Sequence, residues 1–155
     1  MRLHSLQFTA SLIPALAAVM APGCGCGSAE EYPDPGSVFQ ATFNAPPGPG
    51  VSIHQAHGRA FGDNATCYLR LKASPPAFTS LTAAGFTPIS PGDFKVRTQG
   101  GAISGPTPPW WDPMQDTPTV FLHSGRFHPG FSRGQAIVAY DPTSQIVNIY
   151  WDGMD

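Results

Sequence analysis

Residues 123–133 read HSGRFHPGFSR and bring His123, Arg126, His128 and Arg133 into one short stretch with no carboxylate among them. Gly125 and Gly130 let the backbone come close to a ligand, and arginine offers a planar fork of donors to phosphate or carboxylate. The chemistry this stretch suits is anion binding. Its alternative is a solvated connection into the strand beyond, because no helix start follows to add its dipole. Trp110 and Trp111 are a second candidate, an aromatic pair held among prolines and suited to stacking on a sugar, a peptide or an apolar ring. The same indoles can instead plug one open face of a small sheet, and this is the favoured role in a domain with little helix.

His54 and His57, with Asp63 nearby, have a spacing that suits metal ligands on a helix. Val51, Ile53 and Gly58 point instead to extended or turning chain, in which residues three apart face opposite ways, so no metal is expected there. Hydrolytic nucleophiles are equally hard to find: Gly125 and Gly130 do not bracket a serine as the G-x-S-x-G elbow requires. Asp112 and Asp116 share one stretch and Asp152 and Asp155 another, but the separations that paired acid–base carboxylates need are not written in the sequence. No cofactor is indicated.

The elements that must position these residues are unevenly marked. Cys67, Leu69 and Leu71 alternate with Tyr68, Arg70 and Lys72 over residues 66–73, which predicts a strand with one dry and one wet face. Ser74-Pro75-Pro76 then supplies a cap and prolines tolerated in a first helical turn, with Gly85 as a left-handed stop and a further strand beyond. Residues 135–151 hold two β-rich runs joined by Asp141-Pro142-Thr143-Ser144 and predict a hairpin. Ile137 and Ala139 are expected to share the core face with Val147, Ile149 and Trp151. The opposite face is apolar too, which places the hairpin centrally rather than at an edge. Phe39, Ala41 and Phe43 alternate over residues 37–43 and predict another strand, as does the run 94–98. Residues 99–118, rich in Gly and Pro around the two tryptophans, read as a long irregular loop.

Composition narrows the class. The chain has 155 residues, only 12% of them charged, with 17 glycines and 18 prolines, which favours turns and irregular connections over long solvated helices. Its three cysteines form no disulfide framework, and C-G-C lacks the second pair a zinc site wants. Cys67 reads as a small apolar core residue, ahead of a bridge to Cys26.

The first 26 residues, MRLHSLQFTASLIPALAAVMAPGCGC, join a basic start at Arg2 to an apolar run from Leu12 to Met20 with no acidic residue before Glu30. That run, broken by Pro14, falls short of the roughly 20 apolar residues of a spanning helix, so it reads as an export signal over residues 1–23. Ala21-Pro22-Gly23-Cys24 resembles the lipobox of bacterial lipoproteins, in which a small residue precedes the cysteine that receives lipid. The family prefers Leu where Ala21 stands and Ala or Ser where Pro22 stands. The resemblance implies lipidation at Cys24, with Cys26 as the alternative, and ordinary cleavage without lipid as the blander reading. It also implies a place in the bacterial cell envelope. By the sorting rule of enteric lipoproteins, Gly25 after Cys24 favours the outer membrane, facing the periplasm; the alternative is a soluble periplasmic or secreted protein.

Residues 24–37 are polar and proline-containing and read as a flexible tether. Without Arg2, seven cations face ten carboxylates, a net charge of −3 with no basic stripe, which argues against nucleic acid as a partner. The expectation is one loop-rich α+β domain over residues 38–155, a small antiparallel sheet of about four to six strands with one short helix on a face. Functionally it is a non-enzymatic envelope binding or interaction domain, held at the membrane by a lipid anchor and meeting an envelope protein or glycan. The alternative is an enzyme, such as an envelope-polymer hydrolase, using His123 and His128 with a carboxylate brought in by folding.

Overall fold

In the computed structural model, which describes residues 29–83, 85–99, 106–127 and 130–155, the turn after Tyr140 is closed by a single side chain. The Asp141 carboxylate accepts from the backbone N–H of Thr143 (2.9 Å) and of Ser144 (3.1 Å) and from the Ser144 hydroxyl (2.6 Å). This pins Arg133–Asp141 and Ile146–Met154 as an antiparallel pair at the centre of the sheet. Among the described residues, the order along the chain is β1 (Glu30–Glu31), α1 (Pro35–Phe43), β2 (Val51–Phe61), β3 (Asn64–Ala73), α2 (Pro75–Leu81), β4 (Thr87–Pro88), α3 (Pro91–Gln99), β5 (Val120–Ser124), β6 (Arg133–Asp141) and β7 (Ile146–Met154). The strands form one antiparallel sheet in the order β1-β2-β3-β7-β6-β5-β4, with helices beside it, an α+β fold made mostly of sheet.

The register corrects the expected face of the hairpin. Val138 lies opposite Ile149 and Ile137 opposite Tyr150, so Val147, Ile149 and Trp151 share a face with Ala136, Val138 and Tyr140. Ile137 and Ala139 belong to the other face with Tyr150 and Asn148. Both strands are buried on both sides, so the apolar pattern carried no parity; the turn set it.

Two predicted strands are helices. Asp34 caps α1, accepting from Ser37 N–H at 2.9 Å and from the Ser37 hydroxyl at 2.6 Å, and Pro35 sits in the first turn. The buried set is Val38, Phe39 and Thr42, a helical spacing, and Asn44 ends the helix in the left-handed region with φ 53°. Residues 94–98 lie in α3, where Ser90 and Asp93 cap reciprocally: Asp93 N–H donates to Ser90 Oγ at 3.0 Å and the Ser90 hydroxyl donates to Asp93 at 2.7 Å. Phe94 is fully buried while Val96 is 70% exposed, so one ring rather than an alternating face anchors this helix. Among the described residues, three helices thus stand where one was expected. The predicted helix after Ser74 is present as α2, although the Ser74 side chain makes no capping hydrogen bond.

The stretch expected as tether joins the fold before its predicted end. Glu30 and Glu31 pair with Ala60 and Arg59, Tyr32 N–H donates to the Gly58 carbonyl at 2.9 Å, and α1 has begun by Pro35. Gly58 is what lets this happen: a Cβ there would come within 2.6 Å of the Tyr32 ring.

The two faces of the sheet are closed differently. On the first, Cys67, Leu69, Leu71, Val138, Ile149 and Trp151 are buried beneath Val38 and Phe39 of α1 and Ala77 of α2. Phe78 stacks on Tyr140 with ring centroids 3.9 Å apart, and the Trp151 indole N–H donates to the Phe127 carbonyl at 2.9 Å. The second face carries Tyr68, Phe121, Ile137, Ala139 and Tyr150 under Phe94 of α3 and the irregular chain around Trp110 and Trp111. Tyr68 is therefore buried, on the side of β3 expected to be wet.

Asp116 ties that irregular chain down. Arg70 of β3 grips its carboxylate with two nitrogens, Nε at 3.1 Å and Nη2, and Asn148 of β7 donates to it at 3.0 Å. Burial alone would raise the Asp116 pKa, but the hydrogen bonds from Arg70 and Asn148 and the Arg70 charge outweigh it and hold the carboxyl below its ordinary range.

Candidate functional site

Strand parity places the polar residues. On β3, β7 and β6 the second face continues past Tyr68, Tyr150 and Ile137 to a row of Thr66, Asp152 and Gln135, and then to a row of Asn64, Met154 and Arg133. His123 on β5 lies opposite Ile137 on the same face. Phe94 and the Trp110–Trp111 pair pack against the cluster of Tyr68, Ile137 and Tyr150, one row further in. At the end of the face is a cleft of about 330 Å³ lined by Asn64, Arg97, His123, Arg133, Gln135 and Asp152, together with glycine backbone. A second, larger cleft between α1 and α2, lined by Phe39, Phe43, Pro46, Leu81 and Phe127, is almost wholly apolar.

The polar cleft is electrostatically mixed. Arg97 of α3 reaches His123, with Nη1 3.4 Å from Nε2. Partial burial, followed by the Arg97 charge, pushes the His123 pKa down, against the effect of a hydrogen bond with Gln135, so the imidazole is neutral at pH 7. Asp152 accepts from Gln135 Nε2 at 3.3 Å and from the Tyr150 hydroxyl at 3.2 Å, both at Oδ2. Burial and the adjacent Asp152 charge raise the Tyr150 pKa strongly, so the phenol stays a donor. Asn64 Oδ1 is buried without a hydrogen-bond partner among the described residues.

Of the residues singled out in the sequence, His123 and Arg133 line this cleft. Arg126 is exposed on the turn after β5 and does not line it, and His128 lies outside the described residues. Trp110 and Trp111 take the plugging position: Trp111 meets Tyr68 edge to face at 5.1 Å, and the two indoles lie 6.0 Å apart. His54 is the extra residue of a bulge between Ile53 and Gln55 and is exposed, whereas His57 packs near Tyr68 at 6.4 Å. Among the described residues, no three His, Cys, Asp or Glu side chains gather as metal ligands. Cys67 is 1% exposed and burial pushes its thiol up to about 12, which leaves it protonated and inert. Cys24 and Cys26 lie outside the described residues.

Sequence reasoning missed Arg97, Gln135 and Asn64, and weighed Asp152 only beside Asp155 as a carboxylate pair whose separation it could not read. Gln135 and Asp152 left a signal, since each sits two residues from an apolar member of the second face, but it is readable only once the hairpin register is known. Arg97 left none, because it reaches the cleft from a helix read as a strand. For chemistry the arrangement supplies two guanidiniums, a neutral imidazole and one carboxylate. Among the described residues, no serine, cysteine or carboxylate hydrogen-bonds the His123 ring.

No family model, no curated protein and no solved structure matches this chain. Function must therefore be read from the cleft itself.

Proposed function

We propose that this chain is an exported, lipid-anchored protein of the bacterial cell envelope whose folded part is a non-enzymatic binding domain, and that its cleft at the β5–β6–β7 end takes a small anionic group. The carrying observation is the meeting of Arg97, His123 and Arg133 on one cleft from three separate elements. Two guanidiniums offer bidentate donors to a carboxylate or phosphate, and a neutral imidazole adds a directional hydrogen bond without further charge. The anchor rests on the likeness of Ala21-Pro22-Gly23-Cys24 to a lipobox.

Calorimetric titration of the full chain with acetate and with inorganic phosphate tests the cleft. Arg97→Ala and Arg133→Ala are each expected to weaken binding by about tenfold or more, equivalent to about 1.4 kcal/mol; unchanged affinity in both would overturn the assignment. Labelling with a clickable palmitate analogue in wild type, Cys24→Ser and Cys26→Ser tests the anchor, and label that persists in both variants or is absent from wild type would refute it.

A further inference from the structure

We infer that the ligand of this cleft is a zwitterion, a dipeptide or tripeptide with a free amine and a free carboxylate, rather than a simple anion. The inference rests on the anion-binding reading above and adds the ligand class. The cleft has two poles laid out across the sheet. On the side of β6, β5 and α3 stand Arg133, His123 and Arg97; on the side of β3 and β7 stand Asn64 and Asp152. Among the described residues, the second pole has acceptors left over. Both internal donors to Asp152 land on Oδ2, and among the described residues its Oδ1 takes no hydrogen bond. Asn64 Oδ1, on the same side, is buried and unpaired among those residues, an unfavourable state until a donor arrives.

A simple anion would satisfy the arginines but would set a negative charge beside Asp152 and bring it no donor. An ammonium group brings three donors and no acceptor, which is what Asn64 and Asp152 lack. The span agrees. Asp152 and Arg133 stand on neighbouring strands and Asp152 and His123 two strands apart, so the strand of Asp152 lies about 5 to 10 Å from the cationic pole at the usual strand spacing, with Asn64 one strand further. Two or three extended residues cover that distance at about 3.5 Å each.

The test is calorimetric titration of the full chain with Ala-Ala, N-acetyl-Ala-Ala, Ala-Ala amide and acetate. Ala-Ala is expected to bind, and blocking either end is expected to cost about tenfold or more in affinity. Asp152→Asn should weaken Ala-Ala while leaving N-acetyl-Ala-Ala unaffected. If N-acetyl-Ala-Ala binds as well as Ala-Ala, the amine pole is wrong and the anion cleft survives. The amine pole is equally wrong if acetate binds and no peptide does. If Ala-Ala amide matches the free acid, or nothing binds, the anion reading fails together with this one. The four-ligand series on the unmutated chain decides between these outcomes even if Asp152→Asn does not fold.

Discussion

The two faces of the sheet are built from the same three central strands, yet one is sealed by aliphatic and aromatic contact and the other by a few polar grips. On the first, α1 and α2 lie on Cys67, Leu69, Val138, Ile149 and Trp151, and the polar groups in the layer are few and uncharged: the Thr42 hydroxyl bonded to the Val38 carbonyl at 2.8 Å, the Trp151 indole N–H bonded to the Phe127 carbonyl at 2.9 Å, and the buried Tyr140 hydroxyl. On the second, Phe94, Trp110 and Trp111 cover the middle, Asp116 is clamped to Arg70 and Asn148, and one end holds a polar cleft. A helix face buries area without needing polar partners at the contact, whereas irregular chain carries backbone and side-chain polar groups that must be satisfied where it lands. The face covered by irregular chain is therefore the one that keeps charge near the sheet, and with it the polar cleft.

That contrast can be challenged by substitution. The largest loss is expected from Trp151→Ala on the first face, about 3 to 5 kcal/mol by urea denaturation, because it empties a fully buried site and orphans the Phe127 carbonyl. If it costs less than Trp111→Ala, the ranking of the faces is wrong. Asp116→Ala should follow at about 2 to 3 kcal/mol, since it leaves the Arg70 guanidinium and Asn148 without their common acceptor.

Acid offers a second handle on Asp116. Its carboxyl is held below the ordinary range in the folded protein, so its contribution is complete above the unfolded value of about 3.9 and is lost as pH falls through the lower folded value. Urea midpoints measured from pH 6 to pH 3 should fall less steeply in Asp116→Asn than in wild type, and parallel curves would mean that Asp116 plays no part in the acid response. Asp34 and Asp141 are lowered too, by hydrogen bonds from Ser37 and from Ser144 and Thr143, and add to the slope in both proteins.

Trp111→Ala should cost about 1 to 2 kcal/mol, because the ring is only half-buried and its edge contact with Tyr68 is one aromatic pair. Binding in the cleft should change little. Arg133→Ala should leave the unfolding free energy from urea denaturation within about 0.5 kcal/mol of wild type, as an exposed residue does, while lowering ligand affinity. A large stability loss there would make Arg133 part of the scaffold instead.

Legibility followed locality. The strand over 66–73, the helix after Ser74 and the central hairpin could be read directly because alternation, caps and turn residues act within a few positions. The runs 37–43 and 94–98 misled because Phe39, Ala41 and Phe43, like Phe94, Val96 and Thr98, satisfy a period of two while their capping signals, Asp34-Pro35 and Ser90-Pro91, lie upstream of the apolar run. At the cleft, His123 and Arg133 stood out by type, whereas Asp152, Asn64 and Arg97 stood apart from them in the chain and gained meaning only by register.

Residue order alone therefore settles this chain's short-range features: the Asp141 turn, the two prolines that open α2 and the buried character of Cys67. Folding decides which face each apolar residue joins, and that Arg97, His123, Arg133 and Asp152 meet. The physical reason is that a strand apolar on both sides has two equivalent ways to face, and only pairing with its neighbours across the sheet chooses between them.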